Sequence, residues 1–496
     1  MFSLSTTLAL SALALRIASA ADVFAHFMVM NSYAYDVDQW KKDMSDAQQI
    51  GIDGFALNWI PPYCQGDQGW TADRIGDAFT AAEQMGFKLA HSFDMSYSEC
   101  NTYWTPQYMA QILSKYASNP ATYRWNGDIL VTTYGGDFVS QYGNDFFNQL
   151  KAEMSYSNQY ISLSPALTKY SMAGYDDPSG QASKLLSDFP SIDGYLNWQA
   201  WPLNVQENIT ATPDQAFQSA LKNAGKKGPY IMSVSPWQYK DLNNGNPLDA
   251  WVAFSDTLFP DRFAQLTNKE VQPDIIEILT WNDFCESHYL RDLPDQHDTS
   301  AKDYVVLGDM GNYVWGQNHA PWRIIAKYYI SWWKSGSPPP IIMDQVVYWY
   351  RVHPKDASCY YGSSTTIKNA DMPADAMFAW ALVKDSATIS MTVGSNQYHT
   401  FTADGSGPAM GQVAFPSDLG SGVTPEVAIV RNGQTIYTGK GSQTISSSCQ
   451  WQNFNPNVNL VGDGTNQGIV GVNNKMTSLK KHRRHSHRHV RHIGDH

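Results

Sequence analysis

Eight apolar, β-branched and aromatic runs recur through the first two-thirds of the chain, and their spacing limits the possible folds more than any other feature. They cover residues 23–29, 54–59, 88–94, 129–136, 160–167, 194–201, 230–237 and 275–281, with starts 31 to 45 residues apart. A strand, its crossover helix and the turns between take about 30 residues or more. Most of the runs are continuously apolar, as strands covered on both faces must be. Helical patterns fill the gaps. Residues 36–50 stop at Gly51, residues 71–85 stop at Gly86, and residues 212–224 open on a Thr-Pro-Asp-Gln capping box and stop at Gly225. A last helical segment, 320–334, precedes Gly336. Eight strands alternating with helices predict a (β/α)8 TIM barrel over residues 21–336. The alternative for the same pattern is an open, doubly wound parallel sheet.

The pattern changes after Gly336. Ser337-Pro338-Pro339-Pro340 reads as a stiff Pro-rich linker over 337–340. Short alternating runs follow at 346–352, 377–383, 388–393, 397–403 and 427–430, and Asn432-Gly433 supplies a two-residue hairpin signal. These predict a C-terminal antiparallel β-sandwich domain over 341–460. Residues 461–496 read as a disordered basic tail. From Lys475 to His496 there are seven Lys/Arg, one Asp and six His; with −12 overall and +6 here, the remainder carries −18. That tail is read as a solvated segment or as one that binds wall, anion or metal.

Residues 1–20 read as a secretory signal peptide: an apolar stretch ends in Ala18-Ser19-Ala20, with cleavage expected before Ala21. The alternative is a short buried helix. Export permits disulfides, and the five cysteines are Cys64, Cys100, Cys285, Cys359 and Cys449. Cys64 and Cys100 follow neighbouring predicted strands on one barrel face and are expected to pair. Cys359–Cys449 would tie the beginning of the sandwich to its end, which leaves Cys285 as a free thiol. Asn208-Ile209-Thr210 is an N-glycosylation sequon. Charged residues make up only 16% against a usual ~25%, while aromatics reach 13%, with 17 Trp and 28 Tyr. A polar, weakly charged, ring-rich chain suits an uncharged, hydroxyl-rich ligand. An acidic balance argues against nucleic acid. Without an apolar run of about 18 residues no membrane span is expected, and a monomer is expected.

Barrel enzymes carry their chemistry at the C-terminal ends of the strands. Those ends hold Asn58 and Trp59, Asp94, Tyr134, Trp198 and Trp201, Trp237, and the string 281–289 (WNDFCESHY) with Trp281, Asn282, Asp283, Glu286, His288 and Tyr289. Three carboxylates (Asp94, Asp283, Glu286) and five Trp fall on one ring. Two carboxylates flanking a glycosidic bond are the usual machinery of glycoside hydrolysis. Rings stack on sugars, and Asn, Tyr and His bond their hydroxyls. The structural alternatives stand beside these readings. A strand-end Asp often caps the next helix, and a Trp is as often core as platform. His26 and His91 read as core or site-wall histidines, and Asp176-Asp177-Pro178 as a plain turn.

The nonapeptide 281–289 resembles the W-N-D-(F/Y)-x-E-S-H-Y motif of glycoside hydrolase family 71, the fungal endo-α-1,3-glucanases or mutanases. Residues 25–35 (AHFMVMNSYAY), 51–59 (GIDGFALNW) and 91–97 (HSFDMSY) are similar to that family as well, and the likeness spans about residues 22–450. It implies Asp283 and Glu286 as the central carboxylates with Asp94 assisting, α-1,3-glucan as the substrate, a barrel followed by a β-sandwich, and no metal or cofactor. Cys285 departs from the Gly common at its position, and nothing transfers to the basic tail. Secretion to the medium or cell wall is expected.

If the strand end stays extended, the Cα atoms of Asp283 and Glu286 lie ~10 Å apart, and if the chain turns they come closer. A spacing of ~6.5–9.5 Å leaves room for a water and inverts, whereas ~5–5.5 Å fits retention; an extended or loosely turned end favours inversion. Glu286 is then expected as general acid and Asp283 as general base, with Asp94 placing the water or keeping Glu286 protonated. Two other functions compete: an endo-acting glycosidase on another α-glycan such as mannan, and a non-catalytic wall-glucan binder.

Overall fold

The computed structural model describes residues 22–61, 69–96, 103–138, 140–242, 250–294, 311–361 and 367–464. The leader 1–20, Cys64 and Cys100, and the tail from 465 onward lie outside them.

Eight parallel strands are found where the apolar runs lie: β1 (Asp22–Met28), β2 (Gly54–Trp59), β3 (Lys88–Asp94), β4 (Asp128–Tyr134), β5 (Ile161–Leu163), β6 (Tyr195–Asn197), β7 (Tyr230–Val234) and β8 (Ile275–Ile278). The order across the sheet is β5-β4-β3-β2-β1-β8-β7-β6, with a short antiparallel segment, Arg124–Trp125, added on β4. Neighbours in sequence are neighbours in the sheet throughout, and β1 pairs with β8. A doubly wound sheet would reverse direction partway across, and this one does not. The sheet curls toward its own edges. The Asp193 and Gly194 amides donate to the Leu163 carbonyl at 2.9 and 3.1 Å, and Leu196 N–H donates to Pro165 at 3.2 Å.

Strand alternation sorts the side chains. Val23, Ala25, Phe27, Phe55, Leu57, Leu89, Ile276 and Ile278 face outward and join the main core with the helices. Phe24, Ala90, Leu130, Leu196, Ile231 and Ile275 form a separate apolar plug inside the curl. Further along the strands, at their C-terminal ends, the inward positions are His26, Asn58, Asp94 and Tyr134.

The local start and stop signals act as chemistry requires, with two corrections. Asp36 and Gln39 form a reciprocal capping box on the helix Val37–Gln49, and Gly86 closes Trp70–Met85 at φ 65°. Thr212 is not a cap. The helix Thr212–Asn223 begins after Ala211 without a side-chain cap, and Pro213 stands in its first turn. Asp177 is more than a plain turn, since its side chain accepts from Gly180 N–H and caps Pro178–Asp188.

The C-terminal region holds β9 (Gln345–Arg351), β10 (Ala376–Leu382), β11 (Ala387–Val393), β12 (Gln397–Ala403), β13 (Ala409–Ala414), β14 (Glu426–Arg431), β15 (Gln434–Lys440) and β16 (Pro456–Gly462). Two antiparallel sheets result, β13-β10-β9-β16 and β12-β11-β14-β15. Val346, Tyr348, Met377 and Ala379 of the first share a core with Ile389, Met391, Val427 and Ile429 of the second. Asn432 (φ 52°) and Gly433 (φ 77°) make the β14–β15 hairpin, both central residues sitting where this turn needs positive φ. β16 runs past the expected boundary at 460. Its Asn-rich PNVNLVG hid it from a hydrophobic-pattern reading. Cys359 and Cys449 form a disulfide with Cα atoms 4.4 Å apart, across a short parallel pair, Ser358–Tyr361 with Ser448–Trp451.

The other face of the first C-terminal sheet packs on the parallel-sheet region. Val347, Trp349, Phe378, Trp380 and Val458 belong to the same core as Trp237, Trp322, Tyr328 and Tyr329. Indole hydrogen bonds cross in both directions, from Trp237 to Phe454 O (3.0 Å) and from Trp349 to Asp256 O (2.9 Å). The Pro-rich 337–340 stretch therefore joins two parts that share one core. Among the described residues no helix is long and apolar enough to cross a membrane.

Candidate active site

β8 ends at Ile278, and the chain then folds back on itself. Phe284 N–H donates to Asn282 O at 3.1 Å, Ser287 N–H to Phe284 O at 3.3 Å, and Ser287 takes φ 62°. Asp283 closes this turn by accepting from the Glu286 amide at 3.3 Å, while Thr280 Oγ1 accepts from the Asp283 amide at 2.8 Å. Of the two arrangements expected for this strand end, extended or turned, the structure has the turned one. Carboxylate oxygens of Asp283 and Glu286 and a ring nitrogen of His288 all lie within 4.8 Å of one another. Inverting pairs keep ~6.5–9.5 Å between their carboxyls, so the spacing of this pair no longer argues for inversion.

The two carboxylates have opposite surroundings. Glu286 Oε2 accepts from Gln238 Nε2 at 3.0 Å and faces His288 Nε2 at 3.2 Å, and Oε1 lies 3.8 Å from Lys240 Nζ. Burial by itself would raise the Glu286 pKa. Lys240, His288 and Gln238 outweigh it and bring the pKa down to about 2. Burial pushes Asp283 up to about 6, with the Glu286 charge adding to it and His288 opposing. The surroundings thus favour the charged form of Glu286 and the protonated form of Asp283, opposite to the order expected from side-chain length. His288 Nδ1 lies 3.2 Å from Thr280 Oγ1, which fixes the ring as it reaches Glu286.

Asp94 projects into the same end of the sheet. Its Oδ1 accepts from Ser96 N–H (3.1 Å) and Ser96 Oγ–H (2.7 Å), and its Oδ2 from Asn58 Nδ2 at 3.2 Å. Burial raises its pKa, and these hydrogen bonds pull it partly back. Asn58 Nδ2 also lies 3.2 Å from His26 Nε2, and His26 Nδ1 lies 2.8 Å from Glu277. A carboxylate–imidazole–amide chain therefore leads from inside the curl to Asp94. Tyr134 stands among the acids. Burial, then the charges of Glu286, Asp94 and Asp283, hold its phenol well above the usual range. Trp198 packs its ring 4.5 Å from Tyr134 and 4.9 Å from His26, and Trp201 stacks on His288 at 5.6 Å.

Several expected binding residues do not meet the cleft. Trp281 is fully buried against Phe55, 5.5 Å between centroids. Asn282 is buried and staples the turn to β1, accepting from Met28 N–H at 2.7 Å and donating to Met28 O at 3.1 Å. Tyr289 is buried, donates to Gln317 O and stacks on His319 at 3.9 Å. Trp237 is held at the C-terminal interface. Trp59 points outward beside His91 and Phe93, because β2 alternation turns Asn58 in and Trp59 out. His91 is likewise outward and stacked on Phe79 at 5.4 Å, and burial lowers its pKa to about 3. Trp281→Ala is therefore expected to cost ~3–5 kcal/mol of stability, as for other buried Trp truncations. Trp198→Ala should instead act mainly on KM. Thermal melts beside kinetics check both, and a stable Trp281→Ala enzyme with raised KM would reverse the assignment.

Gln238 and Lys240 were missed by the sequence reading. Lys240 lies on, and Gln238 immediately precedes, a short ribbon, Tyr239–Asp241 paired with Ala250–Val252, inside the longest interval between apolar runs. That 45-residue spacing was the available signal. Asp283, Glu286 and His288 are close enough to meet a cation. However, Glu286 is already engaged by Gln238, His288 and Lys240, and the arrangement reads as an acid–base pair. Asn208 is exposed, with its amide donating to Asp261 at 2.9 Å.

A family model described as Glycosyl hydrolase family 71 matches residues 19–469. A mutanase of Penicillium rubens is 32% identical over 92% of this chain and 92% of its own. A glucan endo-1,3-alpha-glucosidase of Schizosaccharomyces pombe is 30% identical, over 87% and 93%. An ascus wall endo-1,3-alpha-glucanase of the same yeast is 25% identical, over 87% and 95%. Among solved structures, a GH99 endo-alpha-mannosidase of Bacteroides thetaiotaomicron aligns with 62% of this chain and 82% of its own at 15% identity and a TM-score of 0.42, a likeness too slight to carry an argument.

Proposed function

The chain belongs to glycosyl hydrolase family 71, and from that membership we propose that it is a secreted endo-acting hydrolase of α-1,3-glucan. The curled sheet is read as a (β/α)8 barrel and the two C-terminal sheets as a sandwich on its flank. One observation carries the chemical part of the reading. Two carboxylates with oxygens within 4.8 Å of each other are pushed in opposite directions, Asp283 up by burial and Glu286 down, against its burial, by Lys240 and His288. Acid–base assignments follow from such separations. Asp283 protonates the departing glycosidic oxygen, and Glu286 works as the carboxylate.

The stereochemistry depends on what Glu286 does. If it attacks the sugar, the anomeric configuration is retained; if Asp94 or Glu286 activates a water on the opposite face, it is inverted. Early product resolved by NMR separates these, an α-anomer reporting retention and a β-anomer inversion. Tyr134, Trp198, Asn58 and Trp201 line the place where the sugar would lie. Export is supported by the leader sequence, the Cys359–Cys449 disulfide and the exposed sequon at Asn208.

The direct test is incubation with insoluble α-1,3-glucan. Reducing ends should accumulate, whereas α-mannan should yield none, and binding without reducing ends would replace the enzyme reading with a binder. The same assay carries a pH prediction. Asp283 acts while protonated, so kcat/KM falls as pH rises through about 6; Glu286 acts while ionised, so it falls as pH drops through about 2. The profile should be a bell confined to acid pH, and full activity at pH 8 would contradict the acid role of Asp283.

A further inference from the structure

We propose that Lys240 and Gln238 are positioning residues that hold Glu286 oriented as a carboxylate, and that their ribbon links the catalytic turn to the C-terminal sheets. The inference rests on the reading of Glu286 as the group that works ionised.

The Tyr239 amide donates to the Glu286 carbonyl at 3.1 Å, which pins the ribbon to the turn. Strand alternation then places Gln238 and Lys240 on the same side, both toward the carboxylate. Gln238 serves Oε2 at 3.0 Å and Lys240 faces Oε1 at 3.8 Å, so each oxygen meets a different partner. Lys240 is only 8% exposed, and a cation that deep needs a counter-charge nearby. The far side of the ribbon is fixed as firmly. Ala250 O accepts from Lys368 N–H at 2.9 Å, Val252 N–H donates to Lys368 O at 3.1 Å, and Tyr239 OH donates to Gln452 O at 3.2 Å. The ribbon is therefore clamped between Glu286 and residues of the C-terminal region.

Among the described residues, other titratable groups around Glu286 include Asp283 and Cys285 in its own turn, His288 just beyond it, Tyr239 on the ribbon and Tyr134 from β4. Asp283, Cys285 and Tyr134 are neutral or negative. His288 approaches Oε2 at 3.2 Å, whereas Lys240 Nζ lies 3.8 Å from Oε1.

The experiment compares pH–rate profiles of the full-length enzyme with those of Lys240→Met, Lys240→Arg and Gln238→Leu, each checked for folding by melting temperature. In Lys240→Met the acid limb should move up by ~1–3 pH units, the usual effect of an opposite charge within a few Å. The loss should appear in kcat, with KM within about twofold. Lys240→Arg should return the limb most of the way, which a merely structural role would not predict. Gln238→Leu should move it less. If Lys240→Met misfolds, Lys240→Gln takes its place. An acid limb unmoved in a folded Lys240 variant overturns the proposal. Glu286→Gln, run in parallel, keeps the two ideas apart. If it stays active, the reading of the site fails; if it is inactive while the Lys240 limb stays put, only the positioning role fails.

Discussion

Glu286→Gln and Asp283→Asn are each expected to lower kcat on α-1,3-glucan by ~100- to 10,000-fold, the span usual for loss of a group that moves a proton in the transition state. Both changes keep side-chain size. Asn at 283 keeps an oxygen to accept from the Glu286 amide, so the turn should persist and the loss should be chemical. The two variants should differ in one respect. A substrate whose leaving group departs without a proton does not need the acid, so Asp283→Asn should recover much of its rate on an activated aryl glycoside. Glu286→Gln should not, because the carboxylate is required whatever leaves. Melting temperatures near wild type, together with this asymmetry, would assign Asp283 as acid and Glu286 as carboxylate. The opposite asymmetry would restore the order expected from side-chain length, and either variant retaining more than a tenth of the activity would remove it from the mechanism.

The order of the two roles is not legible in the sequence, because WNDFCESHY leaves open whether 281–289 stays extended or turns. Nothing in WNDFCESHY announces the turn: it has no Gly or Pro, and its positive φ falls on Ser287. The strands themselves were legible, since burial on both faces leaves a run of apolar residues whatever the loops do. Which strand-end residues face the cleft was also legible, through parity. Asn58 and Asp94 alternate with Trp59 and Phe93, and only the first pair points inward. The reading that credited both neighbours with substrate contact passed over that constraint. Trp237 and Tyr289 could not have been sorted this way. Both are buried by residues more than 150 positions further on, Phe454 and Asn455. Only the folded chain shows that a second part covers them. Lys240 belongs to the same class, a charge whose meaning depends on a ribbon that no periodicity marks.

That shared burial sets the expected fate of a truncated chain. Ending the protein at residue 340 should give insoluble or misfolded material, rather than an active catalytic unit that binds polymer less well. The cut would bare Trp237, Trp322, Tyr328 and Tyr329, all now at or below 6% exposure. At ~1.5–3 kcal/mol for each large apolar side chain returned to water, the four together lose roughly 6–12 kcal/mol. That compares with the ~5–15 kcal/mol by which a folded domain is stable. His319 would lose its contact with Pro456 O (3.0 Å), and the ribbon its partners at Lys368 and Gln452. A detachable binding module would present a polar face to its neighbour across the Pro-rich segment. Here β9 and β10 are buried along their whole length instead. Expression of residues 21–340 beside the full chain, scored by soluble yield and by reducing ends released from soluble α-1,3-linked oligosaccharides, decides between the two. A soluble fragment with near-normal turnover on oligosaccharides and weaker retention on the insoluble polymer would make the sheets a binding module, and the 8% exposure of Lys240 would then have to survive without the residues that clamp its ribbon.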